Sequence, residues 1–175
     1  LGDLWRFLMA LVDYYDIDAE LTDDERLVRD NVRRFVEAKV MPDIAKHYQA
    51  GTFPMELIEQ FADLGLLGAN LEGYGCAGMG AVAYGLAMQE LERGDSGVRS
   101  FASVQGALCM YPIHAFGSDE QKERYLPRSI AGGIIGSYAI AEPNFVSDAA
   151  GGIRGVGVCG GLGDRVGADD LAGDR

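Results

Sequence analysis

The sequence is poor in several residue types, and each shortage excludes something. There are three cysteines, Cys76, Cys109 and Cys159, far apart and in no CxxC pair or Cys/His cluster. That spacing argues against a zinc site and suits reduced thiols in a cytosol-like compartment. Histidine is limited to His47 and His114, read as surface or packing residues rather than catalysts. Basic residues are outnumbered, 15 Lys and Arg against 27 Asp and Glu, for a formal net charge of -12. Such a balance repels phosphate backbones and anionic lipid, so no nucleic acid is expected as a partner. No run approaches the ~20 apolar residues of a membrane span.

The apolar run from Leu4 to Val12 is short, holds an Arg, follows an Asp and lacks a small-residue cleavage site. It fits a secretory signal poorly. The chain starts with Leu1 rather than Met, and its first dozen residues are expected to be a misplaced start or a cut end. The 175 residues suffice for one domain and the beginning of a second.

What is present is mostly helical in pattern. Thr22-Asp23-Asp24-Glu25 has the form of a capping box. Leu27, Val28, Val32, Phe35, Val36 and Val40 follow at helical spacing, up to Pro42. A short helix is expected over 43–48, then one capped by Thr52 with Pro54 in its first turn. The Gly-rich stretch 65–80 reads as a loop that turns sharply or passes close to something. Helices are expected over 81–93, over 98–110 with Pro112 closing it, and from the capping box at Ser118 to about 130. The apolar segment 134–140, IIGSYAI, is the first strand. Helices followed by a strand imply an all-α domain and then a β domain.

The stretch after Asp148 differs. It is about one-third Gly, without aromatics, Lys or Pro, and shows neither period. It reads as a disordered tail, or weakly as a phosphate-cradling loop. Its Gly, Ala, Val and Asp content is also that of a GC-rich gene read out of frame, which would place the loss of frame near residues 146–150. The expected organisation is an N-terminal extension (1–20), a helical domain (21–133), the start of a truncated β domain (134–148) and a Gly-rich tail (149–175).

One charge stands out. Arg99 lies among small residues in DSGVRSFASVQ. In a continuous helix Arg99, Ser103, Gly106 and Met110 would share a face, with a cation at one end. That surface suits a slot for a thin chain ending in a carboxylate, which an Arg fork binds through two parallel hydrogen bonds. An ion pair with Glu92 or Asp95, or a solvated Arg at a helix start, is the structural alternative. In YAIAEPNFVSD, Pro143 stiffens the turn, and Asn144, Ser147 and nearby amides can offer donors to a planar polar ring; an ordinary turn after an edge strand is the plainer reading.

Together these segments resemble the acyl-CoA dehydrogenase family. The resemblance is carried by GLLGANLEGYGCAGMGAVAYGLAMQELERGDSGVRSFASVQ, YPIHAFGSDEQKERYLP and YAIAEPNFVSD, in that order, over residues 21–148. GYGCAG, ELERGDSG and VRS followed by SVQ are most similar to the glutaryl-CoA dehydrogenases within it. The resemblance implies a mainly α fold with the family's N-terminal helical bundle. It implies an FAD enzyme that removes a proton and a hydride from an acyl-CoA, here glutaryl-CoA, which then loses carbon dioxide to give crotonyl-CoA. Arg99 and Ser100 would meet the far carboxylate of the glutaryl group, with Glu92 organising that end and Ser147 close to the acyl-CoA. Tyr138, Ala139, Ile140, Ala141, Glu142, Pro143, Asn144 and Ser147 would hold the flavin ring. Ala141 stands where the family usually has Thr, and Val146 where it has Gly. Electrons would pass to an electron-transferring flavoprotein, and a homotetramer in the cytoplasm of a bacterium or the mitochondrial matrix of a eukaryote is implied.

The family's catalytic Glu lies in its C-terminal domain, so no catalytic residue is assigned here. The chain alone is expected to be inactive. The alternative class is a non-catalytic helical interaction module or a degraded gene product.

Overall fold

The Thr22 capping box forms. Glu25 N–H donates to the Thr22 hydroxyl, and the Glu25 carboxylate accepts from Thr22 N–H at 2.8 Å. Such a cap contributes about 1 kcal/mol. The computed structural model describes residues 15–139, 157–160 and 165–166. After a short turn of helix, α1 (Ile17–Glu20), the cap opens α2 (Asp23–Phe35). A π-helical segment, Val36–Val40, continues it. There follow α3 (Ile44–Ala50), α4 (Leu57–Asp63), α5 (Ala81–Gly94) and α6 (Ser96–Ser103). A second π-helical segment, Val104–Met110, leads into α7 (Tyr111–Phe116) and then α8 (Asp119–Ile130). Ser118 closes its own capping box with Gln121.

The fold is thus mainly α, as the pattern of periods implies. Two clusters make the core. The larger sits among α2, α4, α5 and α6, around Phe61, Leu91 and Val98. Phe61 meets Phe35 edge-on at 5.5 Å and Phe101 at 5.8 Å. The smaller joins Leu71, Cys109, Met110, Ile113 and Leu126 beneath the Gly-rich loop. Among the described residues no helix is long and apolar enough to cross a membrane.

Three expectations need correction. Thr52 does not cap a helix: its hydroxyl pairs with His47 Nδ1 at 3.0 Å, and α4 begins only at Leu57, after a turn in which Pro54 C=O accepts from Leu57 N–H. Pro112 does not end a helix; it lies in the first turn of α7, where its missing N–H costs little. The helix expected over 98–110 is α-helical only to Ser103. The π segment adds a residue to the turn and so rotates every later side chain about the helix axis. Gly106 and Met110 therefore leave the face of Arg99 and Ser103 and are buried. There Gly106 meets Gly68: a β-carbon on Gly106 would lie 3.3 Å from Gly68 Cα.

The strand expected over 134–140 is β1 (Gly136–Ala139). The tail expected to be disordered supplies two short strands, β2 (Gly157–Gly160) and β3 (Arg165–Val166). They form an antiparallel sheet in the order β1-β2-β3, with Gly136 opposite Gly160 and Tyr138 opposite Val158. Backbone ladders need no apolar alternation, which is why the sequence pattern was silent on them.

Between α2 and α5 lies a buried carboxylate. Glu90 is 3% exposed, accepts from Arg33 Nη2 at 2.7 Å and from Arg93 Nε at 2.8 Å, and Arg93 also reaches Glu37. Burial pushes the Glu90 carboxyl up, but the two guanidinium hydrogen bonds and charges outweigh it and hold the group below its usual value. A depressed carboxylate stabilises the fold above its unfolded value of about 4.3 and loses that contribution as pH falls through the folded value. Glu90→Gln is therefore expected to destabilise the chain by about 2 kcal/mol at pH 7 and to flatten its loss of stability below pH ~4.3. Urea unfolding of both proteins across that pH range checks this.

Candidate functional site

The corner between α5 and α6 is set by Asp95. Its backbone is extended, and its carboxylate caps α6 by accepting from Val98 N–H at 2.9 Å. The chain thereby turns back so that the end of α5 faces the first turns of α6. Glu92 and Arg99, seven residues apart, meet across this corner: Arg99 Nε donates to Glu92 Oε2 at 2.6 Å. The Ser96 hydroxyl donates to the other carboxylate oxygen at 2.6 Å. One turn further along α6, Arg99 Nη1 donates to the Ser103 hydroxyl at 3.2 Å, and that hydroxyl donates to the Ser100 carbonyl. Of the two ion-pair partners considered for Arg99, Glu92 is the one that forms.

Both members of the pair remain accessible, with side chains 35% and 46% exposed. Among the described residues none accepts from Arg99 Nη2. One guanidinium nitrogen thus remains for a further acceptor while Nε and Nη1 stay with Glu92 and Ser103. The hydrogen bond from Arg99, then that from Ser96, hold the Glu92 carboxyl below the ordinary range. Tyr84, two helical turns before Glu92 on α5, is half-buried within the field of Arg99; burial raises its phenol and the Arg99 charge opposes this. The sequence reading missed Tyr84, although the spacing 84, 88, 92 along one helix face carries it.

Gln105 was also missed. It is 2% exposed and spans from the second π segment to the strand. Its Nε2 donates to the Ile134 carbonyl at 2.8 Å, and its Oε1 accepts from Gly136 N–H at 2.8 Å. Gly136 is needed at this contact, since a β-carbon there would lie 2.6 Å from Cys109 Cβ. Two residues on, Tyr138 is half-buried. Side chains in a strand alternate, and so do its amides. The Gly136 N–H points to Gln105, away from β2, and the Tyr138 N–H points to that same edge, along which no described strand pairs.

The structure thus brings Glu92, Arg99 and Ser100 together and places Tyr138 and Ala139 in β1. Ile140, Ala141, Glu142, Pro143, Asn144 and Ser147 lie outside the described residues. No group of three or more His, Cys, Asp or Glu is placed to hold a metal ion among the described residues. Because the Arg99 contact lowers Glu92, Arg99→Met is expected to raise the Glu92 pKa. A 13C NMR titration of the Glu92 carboxyl in both proteins measures it.

Known proteins resemble the chain in sequence and fold. The profile of the acyl-CoA dehydrogenase N-terminal domain matches residues 22–133. A probable acyl-CoA dehydrogenase of Bacillus subtilis is 35% identical over 135 residues, which are 75% of this chain and 35% of that protein. A glutaryl-CoA dehydrogenase from Mycobacterium smegmatis superimposes with a TM-score of 0.76 at 50% identity, covering 85% of this chain and 40% of that one. A further structure of a glutaryl-CoA dehydrogenase from the same organism, in complex with FADH2, gives a TM-score of 0.77 at 44% identity, again covering 85% and 40%. The chain spans about a third of the length of the curated relatives it matches. It carries the N-terminal helical domain of the acyl-CoA dehydrogenases, and it belongs to that family.

Proposed function

We propose that this chain is the acyl-binding helical part of an FAD-dependent dehydrogenase whose substrate is a dicarboxylate-derived acyl-CoA, with glutaryl-CoA the best match. The observation that carries this is Arg99: Glu92 holds its Nε and Ser103 its Nη1, Nη2 has no acceptor among the described residues, and a third of the side chain is exposed. A simple fatty acyl chain has no use for a permanent cation at the end of its slot, while a terminal carboxylate does. The glutaryl-CoA dehydrogenase neighbours support the same choice. Ser100, beside Arg99 and half-buried, completes that end in this reading, and Glu92 keeps the guanidinium in one orientation.

The edge of β1 turned away from β2 fits a flavin. At Tyr138 it offers an amide donor in extended backbone, the kind of partner the polar edge of a planar ring requires. FAD, when bound, supplies the hydride acceptor. The remaining family assignments, Ala139, Ile140, Ala141, Glu142, Pro143, Asn144 and Ser147, belong to the same reading. So do electron-transferring flavoprotein as electron acceptor and a homo-oligomeric assembly. The same reading places proton abstraction outside the helical domain, so the residues of that domain alone are expected not to turn over substrate.

Arg99→Met is expected to weaken glutaryl-CoA binding at least tenfold, as about 1.5–3 kcal/mol for a charge-assisted hydrogen bond implies, and to change butyryl-CoA binding less than twofold. Isothermal titration with both thioesters in the presence of FAD tests this; equal losses for the two would overturn the carboxylate assignment. An assay of the unaltered chain with glutaryl-CoA and an artificial electron acceptor is expected to show no turnover above a protein-free control.

A further inference from the structure

The two hydrogen bonds of Gln105 follow a recognisable pattern. Its side chain donates to the carbonyl of Ile134 and accepts from the amide of Gly136. A residue in a parallel neighbouring strand bonds in that way, to the two residues flanking the one opposite it. The carboxamide thus stands in for one residue of a strand on the edge of β1 that β2 leaves open. It is a single position wide, and no described residue continues the pairing at Tyr138.

We infer that Gln105 is a positioning residue: it sets where β1 lies along the helical bundle. This rests on the reading of Arg99 and Tyr138 proposed above. Gln105 stands six residues after Arg99 in one continuous helical run, a rise of about 9 Å. It grips the strand two residues before Tyr138, about 7 Å along. One side chain is therefore the hinge point between the carboxylate-binding end and the flavin-facing edge. A slip of β1 by one residue would turn Tyr138 to the opposite face and its amide to the opposite edge. Gln105 continues the buried face of Val98 and Ala102 on the same helical run, while Arg99 and Ser103 lie on its more exposed side. Cys109, one turn later, closes on Gly136 and leaves no space for another residue at that point of the strand.

The test uses the full 175-residue chain with Gln105→Met, of similar volume but able to make neither bond, and Gln105→Glu, which keeps the length and the acceptor for Gly136 N–H. Amide hydrogen exchange is followed at residues 136–139 and in α2 and α5, and FAD binding by quenching of flavin fluorescence. In Gln105→Met, Gly136 is expected to exchange at least tenfold faster, with α2 and α5 unchanged and FAD bound at least fivefold more weakly. Gln105→Glu is expected to fall between it and the unaltered chain in both readouts. Unchanged exchange at residues 136–139 in Gln105→Met overturns the inference. So does faster exchange with undiminished FAD affinity, since the bonds would then be structural only. If the unaltered chain binds no FAD, the flavin reading fails on its own, and the exchange data still decide whether Gln105 holds the strand. Should Gln105→Met not fold, the comparison rests on Gln105→Glu, for which unaltered exchange at Gly136 and Tyr138 and unaltered FAD affinity would overturn the inference.

Discussion

A buried, ionised glutamate organises the bundle. Glu90 has almost no contact with water, so its charge must be met by protein. Arg33 from α2 meets it on one side and Arg93 from its own helix on the other, and both guanidinium groups keep part of their surface in solvent. The carboxylate is dry and its partners are half wet, an arrangement that avoids burying three charges at once. Helices α2 and α5 cannot slide or rotate past one another without stranding it. Since α5 carries Glu92 two residues on, the register fixed at Glu90 is also the register of the corner where Arg99 sits.

From that corner the logic runs outward through local backbone geometry. Asp95 makes the turn by capping α6, which brings Glu92 and Arg99 face to face. The second π-helical segment then divides a single helical run into two uses. Its first part shows Arg99 and Ser103 to solvent, and its continuation buries Gln105 and Gly106 against the strand and the Gly-rich loop. Departures from α-helical winding are costly enough to need a reason, and here the reason is visible in what each half touches.

Much of this was legible in the sequence. Both capping boxes were, because they depend on residue types at fixed spacing, and so were the helices that carry a long apolar period. The two π segments were not. Winding of that kind is set by tertiary contacts such as Gly106 on Gly68, and no local residue pattern announces it. Thr52 misled because a hydroxyl before a proline resembles a cap, while its actual partner, His47, lies at the end of the preceding helix. The pairing of Arg99 with Glu92 was among the options that charge and spacing allowed. Gln105 and Tyr84 were passed over because their roles come from what faces them across the fold, not from their neighbours in the chain. The strands of the tail were invisible since glycine-rich backbone pairs without any side-chain signature.

The contact between Gly68 and Gly106 has a consequence for how the sequence can vary. A β-carbon at position 106 would come within 3.3 Å of backbone atoms of Gly68, and these are not the movable tip of a side chain. Loop and helix thus approach at a distance that the missing side chain of Gly106 allows. A first methyl placed there must push the two segments apart; once they are apart, later changes in the surrounding packing meet little resistance. The two glycines are kept for different reasons: Gly106 because a side chain there needs the loop backbone to give way first, Gly68 because its own backbone is left-handed (φ 67°) and its α-carbon faces the Met110 side chain.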